Sequence, residues 1–89
     1  MRFTWSEAKR KLNIQAHGLD FVDAARVFDG PTFTFEDDRV EYSEQRFVTL
    51  GLLDGFVVSV VHTESTRLIR VVSFRKATKH EQAIYFKNL

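Results

Sequence analysis

Two apolar segments that flank the dipeptide Asp54-Gly55 constrain the fold more than any other part of this sequence. RFVTLGLL precedes the dipeptide and FVVSVVH follows it. An Asp-Gly pair between two β-prone segments is typical of a hairpin with a two-residue type I′ turn. The sequence therefore predicts an antiparallel sheet built around this hairpin.

The register of the hairpin decides which side chains share a face of the sheet. If Leu53 pairs with Phe56, side chains alternate between the two faces outward from that pair. One face then holds Phe47, Thr49, Gly51, Leu53, Phe56, Val58, Val60 and His62, and the other holds Val48, Leu50, Leu52, Val57, Ser59 and Val61. Both faces are apolar, so either the C-terminal helix covers what the first helices leave bare or some apolar surface awaits a partner.

The first third of the chain predicts two short helices. Residues 6 to 16 have the apolar spacing of a helix, and Gly18 is placed to end it. Asp20 predicts the start of a second helix, which Gly30-Pro31 stops.

The remaining signals complete an α+β fold. Arg2 to Thr4 is a candidate short edge strand, Thr32 to Glu36 is a strand, and residues 36 to 44 form an acidic turn region. The stretch that begins at Arg67 supplies the last strand, and the capping-box spacing of Thr78 and Glu81 starts a C-terminal helix. We expect two N-terminal helices, a four-stranded, mainly antiparallel sheet and a C-terminal helix.

Length and composition limit the possible classes of protein. The 89 residues predict one domain over 1–89, and the absence of cysteine excludes disulfides and thiolate zinc sites. No apolar run approaches the ~20 residues that a membrane span requires. We therefore expect a cytoplasmic protein without membrane contact.

Charge is distributed unevenly along the chain. Residues 1–17 carry a net charge of +3 and residues 62–89 carry +4, whereas residues 18–61 carry −6. If the fold brings the two ends together, they form one basic face suited to phosphates. The alternative is that these charges simply coat the surface.

Several different short motifs follow one another along the chain. They are W-x-x-x-K-x-x-x-N-x-x-x-HG from Trp5, F-x-x-A with VFDGP from Phe21, E-x-R from Glu44, T-E at Thr63, R-x-x-S-x-R-x-A from Arg70, and E-x-x-x-Y from Glu81. This ordered set resembles the BrnT family of type II toxins. The resemblance implies a RelE-like fold and a ribonuclease that arrests translation.

The same resemblance implies the partners of the protein. It implies an RNA substrate and a BrnA-like antitoxin with a ribbon-helix-helix domain, with DNA bound only through the antitoxin complex. Three positions depart from the family pattern: Ala16 replaces a lysine, His62 replaces a tyrosine and Ser65 replaces an arginine. The loss of that arginine removes a candidate phosphate contact, for which Arg67 is a possible substitute.

Metal-independent RNA cleavage requires a proton acceptor, a proton donor and cations that stabilise the charge on the phosphorane-like transition state. Arginine binds phosphate oxygens with two parallel hydrogen bonds and stays charged. Arg70 and Arg75 are therefore candidates for a phosphate clamp, and the resemblance favours this interpretation. The alternative is that Arg70 pairs with Glu44 or Glu64 on the sheet surface, or keeps its head in water.

The other candidate catalytic residues are His17, Lys9 and Glu64. His17 suits general acid or base catalysis, although a histidine at a helix C-terminus often only interacts with the helix dipole. Lys9 lies two turns before His17 and shares its face, unless it is simply solvated. Glu64 is either a base or a residue that orients Arg70.

Four more cations are candidate RNA-binding residues: Arg67, Arg46, Lys76 and Lys79. His62 and His80 are weaker candidates for catalysis. No histidine and carboxylate spacing matches a metal site and no glycine-rich phosphate loop is present, so we expect neither a metal nor a cofactor. The rival function is a non-catalytic nucleic-acid or protein binding module, whose basic face would hold nucleic acid by charge alone.

Overall fold

The computed structural model describes residues 1–39 and 43–89, and these residues form a five-stranded sheet. The strands are β1 (Arg2–Thr4), β2 (Phe33–Glu36), β3 (Phe47–Leu53), β4 (Phe56–Ser65) and β5 (Leu68–Lys76). Their order in the sheet is β1-β5-β4-β3-β2, in which only the β1 and β5 pair is parallel.

The Asp54-Gly55 hairpin forms as the sequence predicts. Leu53 pairs with Phe56, and the register continues to Phe47 opposite His62. Both turn residues have positive φ, 49° at Asp54 and 85° at Gly55, as a type I′ turn requires. The two predicted sets of face-sharing residues are therefore confirmed for this hairpin.

In the described ranges three α-helices flank the sheet, and side chains cap the N-termini of the first and the third. They are α1 (Glu7–His17), α2 (Ala24–Phe28) and α3 (Lys79–Lys87). Gly18 ends α1 in the left-handed region with φ of 72°. Thr78 and Glu81 form both hydrogen bonds of the capping box that begins α3.

Two predictions of the fold need correction. The described residues form five strands rather than four, because Arg2–Thr4 pairs in parallel with Leu68–Arg70 and Arg2 N–H donates to Arg67 O at 2.9 Å. The second N-terminal helix is shorter than predicted: Asp20 caps a 3-10 turn over Phe21–Asp23, and only Ala24–Phe28 is α-helical. Residues 40–42 of the predicted acidic turn region lie outside the described residues.

Helices pack on both faces of the sheet. On one face, here called the α2 face, Phe21, Ala24 and Val27 form a core with five sheet residues: Leu53, Val58, Val60, Val71 and Phe74. On the other, here called the α3 face, Tyr85 and Ile84 pack with four sheet residues: Val48, Leu50, Val57 and Val61. The C-terminal helix thus covers most of the second face, which was one of the two alternatives. The larger apolar side chains left exposed include Leu12, Phe56 and Phe86.

Helix α1 lies along the edge of the sheet, where a single side chain extends the strand pairing. Beyond the end of β1, the Asn13 side chain donates to Phe74 O at 2.7 Å and accepts from Phe74 N–H at 3.1 Å. Asn13 is buried, so these bonds satisfy backbone groups that water could not reach. The basic N-terminal and C-terminal segments are therefore neighbours, which is the condition for a shared basic face. No helix in the described part of the chain is long and apolar enough to cross a membrane.

Gly51 is required where α2 crosses β3. A Cβ atom at Gly51 would lie 2.5 Å from Val27 Cγ1, and Val27 is fully buried. We expect Gly51→Ala to lower the free energy of unfolding by roughly 1–3 kcal/mol, the usual cost of an overpacked core. Denaturant unfolding measures this, with Gly30→Ala as the matched control, because the nearest atom to a Cβ there is 3.9 Å away. Equal stability of the two variants would contradict the prediction.

Candidate functional site

A β-bulge in β5 places Arg70 and Arg75 on the same face of the sheet. Arg70 pairs with Thr63 and Arg75 pairs with Ser59, but the register between β4 and β5 shifts at Val61 and His62. Five positions apart, the two arginines would point to opposite faces of a regular strand. The extra residue in β5 restores the match, and both arginines lie on the α3 face.

The bulge also interrupts the alternation of side chains along β5. Strict alternation groups Phe74 with Arg70 and Val72. Instead, Phe74 packs in the core of the α2 face, whereas Val72 packs against the cluster of the α3 face. Arg70, Val72 and Arg75 therefore line one surface, which we call the β5 surface.

Arg70 occupies an open position at the β1 end of the β5 surface. It borders a cavity of about 280 Å³ together with Thr4, Thr63 and Ser65. Arg70 is exposed and forms no ion pair with any residue that the structure describes, although Glu44 and Glu64 also border the cavity. The alternative of an inert ion pair with Glu44 or Glu64 is thus not observed.

Arg75 is held against α3. Its Nη1 and Nη2 atoms donate to the two carboxylate oxygens of Glu81 at 2.7 Å and 3.0 Å. Burial alone would raise the pKa of Glu81, but hydrogen bonds from Arg75 and from Thr78 N–H outweigh it and lower that pKa. Glu81 therefore stays ionised at neutral pH, and Arg75 is half-buried against it.

Lys9 and His17 lie beside the β5 surface on α1. Together with Leu12, Asn13, Ala16 and Val72 they line an open groove of about 300 Å³. The prediction that Lys9 and His17 share one face is confirmed. Val72, between the two arginines in sequence, also lines this groove, so the groove of α1 adjoins the β5 surface. Arg70 and Arg75 border two other cavities.

Glu64 points to the other face of the sheet. Its Oε1 lies 3.6 Å from Nδ1 of the fully buried His62, which packs between Phe28 and Phe47. His62 Nε2 shares a hydrogen bond of 2.7 Å with Thr49 Oγ1. The structure therefore brings Glu64 to His62 and does not place its carboxylate at Arg70.

The four candidate RNA-binding cations are scattered. Arg67 is exposed in the two-residue turn before β5, with φ of 62°. Arg46 is half-buried just before β3, and Lys79 is exposed at the start of α3. Lys76 lies on the α2 face, with Nζ 4.2 Å from the centre of the Phe56 ring. Arg67 and Lys79 thus remain accessible, whereas Lys76 is turned away from the β5 surface.

Ligands for a metal are not gathered in the described ranges. Within residues 1–39 and 43–89, no group of three or more histidine and carboxylate side chains has a geometry that could hold a metal ion. His80 is exposed and borders a cavity of about 350 Å³ with Arg75 and Glu81.

Comparison with known families assigns the chain. The sequence of residues 5–81 matches the family described as the ribonuclease toxin BrnT of type II toxin-antitoxin systems. The chain belongs to the BrnT family. The match begins at Trp5, the first residue of the predicted motif set, and ends at Glu81, the first residue of its last motif. A search of the curated proteins found no match.

Family membership gives the β5 surface of this BrnT protein a context. Members are ribonuclease toxins of type II toxin-antitoxin systems, which implies an RNA substrate and an antitoxin partner. Ser65, a predicted departure from the family pattern, borders the same cavity as Arg70. An arginine at this position would add charge beside Arg70.

Sequence reasoning missed two residues that organise this BrnT site. The motif that contains Asn13 predicts no role for it, yet Asn13 joins α1 to β5. The spacing of Glu81 predicts only a capping residue, yet Glu81 also binds Arg75. The conjunction of Arg75 and Glu81 in one motif set was the available signal for the second.

His62 makes the stability of the protein depend on pH. Burial lowers the pKa of His62 to about 4, so the unfolded chain binds more protons than the folded one between about pH 4 and 6.5. Stability should therefore fall on acidification, by roughly 2 kcal/mol between pH 7 and pH 5. Denaturant unfolding at the two pH values measures this, and His62→Tyr, which removes the titrating imidazole, should remove most of the pH dependence of stability. If the stability of His62→Tyr fell with pH as much as that of the wild type, His62 would not be the source of the pH dependence.

Proposed function

We propose that this BrnT protein is a metal-independent, RelE-like endoribonuclease that arrests translation. The observation that carries the proposal is the bulge in β5, which sets Arg70 and Arg75 on one face beside Lys9 and His17 of α1. An RNA strand laid along this surface meets cations from two elements. The β5 surface is also open, because α3 covers a different part of the same face, the part formed by β3 and β4.

Arg70 is assigned to the phosphate at which the chain is cut. An unpaired guanidinium can take up the charge that develops on the phosphate as the 2′-hydroxyl attacks. Lys9 adds a second cation from the adjoining groove. His17 is assigned to proton transfer, because an imidazole both accepts and donates a proton.

Arg75 is assigned to a neighbouring phosphate. Five steps along a strand span roughly 15 Å, so both arginines reach one phosphate only if their side chains bend toward Val72. Glu81 holds Arg75 toward α3 instead. Arg75 thus contributes to RNA binding, and Arg70 contributes to the chemical step.

Cleavage in the absence of metal tests the proposal. Purified protein should cut total RNA in excess EDTA, and Arg70→Ala should lower kcat by about 10²–10³, the usual effect of removing one preorganised charge-stabilising donor. Gel analysis with single-turnover kinetics measures both. The matched control is Arg26→Ala, because Arg26 lies in α2 on the other face and pairs with Asp23 and Asp54.

Three results would argue against this function. RNA that stays intact, or is cut only with added magnesium, contradicts metal-independent cleavage, and RNA bound without cleavage favours the non-catalytic binding module. Equal loss of activity in Arg70→Ala and Arg26→Ala would show that the effect is not specific to the β5 surface.

We also propose that the antitoxin is a BrnA-like ribbon-helix-helix protein that blocks the β5 surface. Leu12 is 63 % exposed in the groove that Lys9 and His17 line. An apolar side chain of the partner can pack on Leu12 while its carboxylates contact the surrounding cations. The complex of toxin and antitoxin is cytoplasmic. Within it the antitoxin, and not the toxin, binds DNA.

Co-expression with the neighbouring gene tests this partner. The two chains should elute together on gel filtration, bury more than ~1,000 Å² and be inactive on RNA. Leu12→Asp should weaken the complex by adding a buried charge, whereas Val22→Asp, an exposed position beside α2, should not. A toxin that elutes alone, or a complex that still cuts RNA, would contradict the proposal.

A further inference from the structure

The guanidinium of Arg75 has one edge occupied and one edge open. A guanidinium has five N–H donors in a fixed planar arrangement. Glu81 accepts from Nη1 and Nη2, and the second Nη1–H donates to Lys76 O at 3.2 Å. No described residue accepts a hydrogen bond from Nε–H or from the second Nη2–H. These two donors lie parallel on the side-on edge of the group.

Glu81 is itself anchored. Its Oε1 accepts from Thr78 N–H at 2.9 Å, and its own N–H donates to Thr78 Oγ1 at 3.1 Å. The Glu81 side chain is only 14 % exposed, and Arg75 retains 28 % exposure. The carboxylate is therefore fixed to the first turn of α3, and it fixes the plane of the Arg75 guanidinium in turn.

We propose that Glu81 is a positioning residue that presents the open Nε and Nη2 edge of Arg75 to an RNA phosphate. The inference rests on the proposed ribonuclease function and specifies how its second phosphate contact is built. Two parallel N–H donors match two phosphate oxygens, and an arginine already held in place loses less entropy on binding than a free one.

Charge alone predicts the opposite role for Glu81. A carboxylate beside Arg75 repels phosphate and competes for the guanidinium, so its neutralisation would strengthen RNA binding. Positioning predicts that the same change weakens binding, because Arg75 loses the partner that orients it. The sign of the effect thus separates the two roles.

Glu81→Gln is the informative variant, because glutamine also serves in a capping box and preserves the start of α3. The probe is an RNA oligonucleotide with 2′-O-methyl groups, which cannot be cleaved, and its Kd is measured by fluorescence anisotropy. We expect Glu81→Gln to raise Kd about threefold to tenfold, and to raise KM on cleavable RNA by the same factor with kcat within about twofold. Thr78→Ala, which removes the cap and leaves the ion pair, should keep the Kd of the wild type.

Two more variants keep the test independent of folding in Glu81→Gln. Arg75→Lys retains the positive charge but lacks the two parallel N–H donors of the guanidinium edge. It should raise Kd at least as much as Glu81→Gln does. In the Arg75→Ala background, Glu81→Gln should have no further effect on Kd. Unchanged or tighter binding by Glu81→Gln, wild-type Kd in Arg75→Lys, or equal weakening by Thr78→Ala would overturn the positioning role. If wild-type protein binds the probe but does not cut RNA, the proposed function fails, whereas the positioning role is decided by the Kd values.

Discussion

The bulge in β5 is the feature on which the arrangement of the site depends. Side chains on a regular strand alternate, so Arg70 and Arg75 would otherwise lie on opposite faces. One added residue opposite Val61 and His62 brings both to the α3 face and turns Phe74 into the core. A change of one position in this register would separate the two arginines and bury a cation in place of Phe74.

The edge contact of α1 is the second requirement. Asn13 replaces a strand residue at Phe74, which sets the helix beside β5 rather than on a face of the sheet. Lys9 and His17 reach the β5 surface only because α1 lies there. The basic ends of the chain therefore meet through two devices, the parallel β1 strand and one amide side chain.

Local signals were enough to predict much of the fold. The turn at Asp54-Gly55, the caps at Gly18 and Thr78 and the two faces of the hairpin all depend on residues close in sequence. The site depends on contacts between distant residues. Asn13 and Phe74 are 61 positions apart, and nothing near Phe74 in sequence indicates a bulge. Alternation alone would group Phe74 with Arg70, and the capping-box spacing of Glu81 indicates only its local role.

Several arginines of this protein form ion pairs that join one element of the fold to another, and Arg70 forms none with a residue that the structure describes. Arg10 joins α1 to Asp20, Arg26 joins α2 to Asp54, and Arg75 joins β5 to α3 through Glu81. Arg70 has no such partner within the described residues, although two glutamates border its cavity. Exposed ion pairs contribute little stability, so pairing would have gained the fold only ~0–1 kcal/mol. An unpaired guanidinium keeps all of its donors for a phosphate, and that availability is what the arrangement around Arg70 preserves.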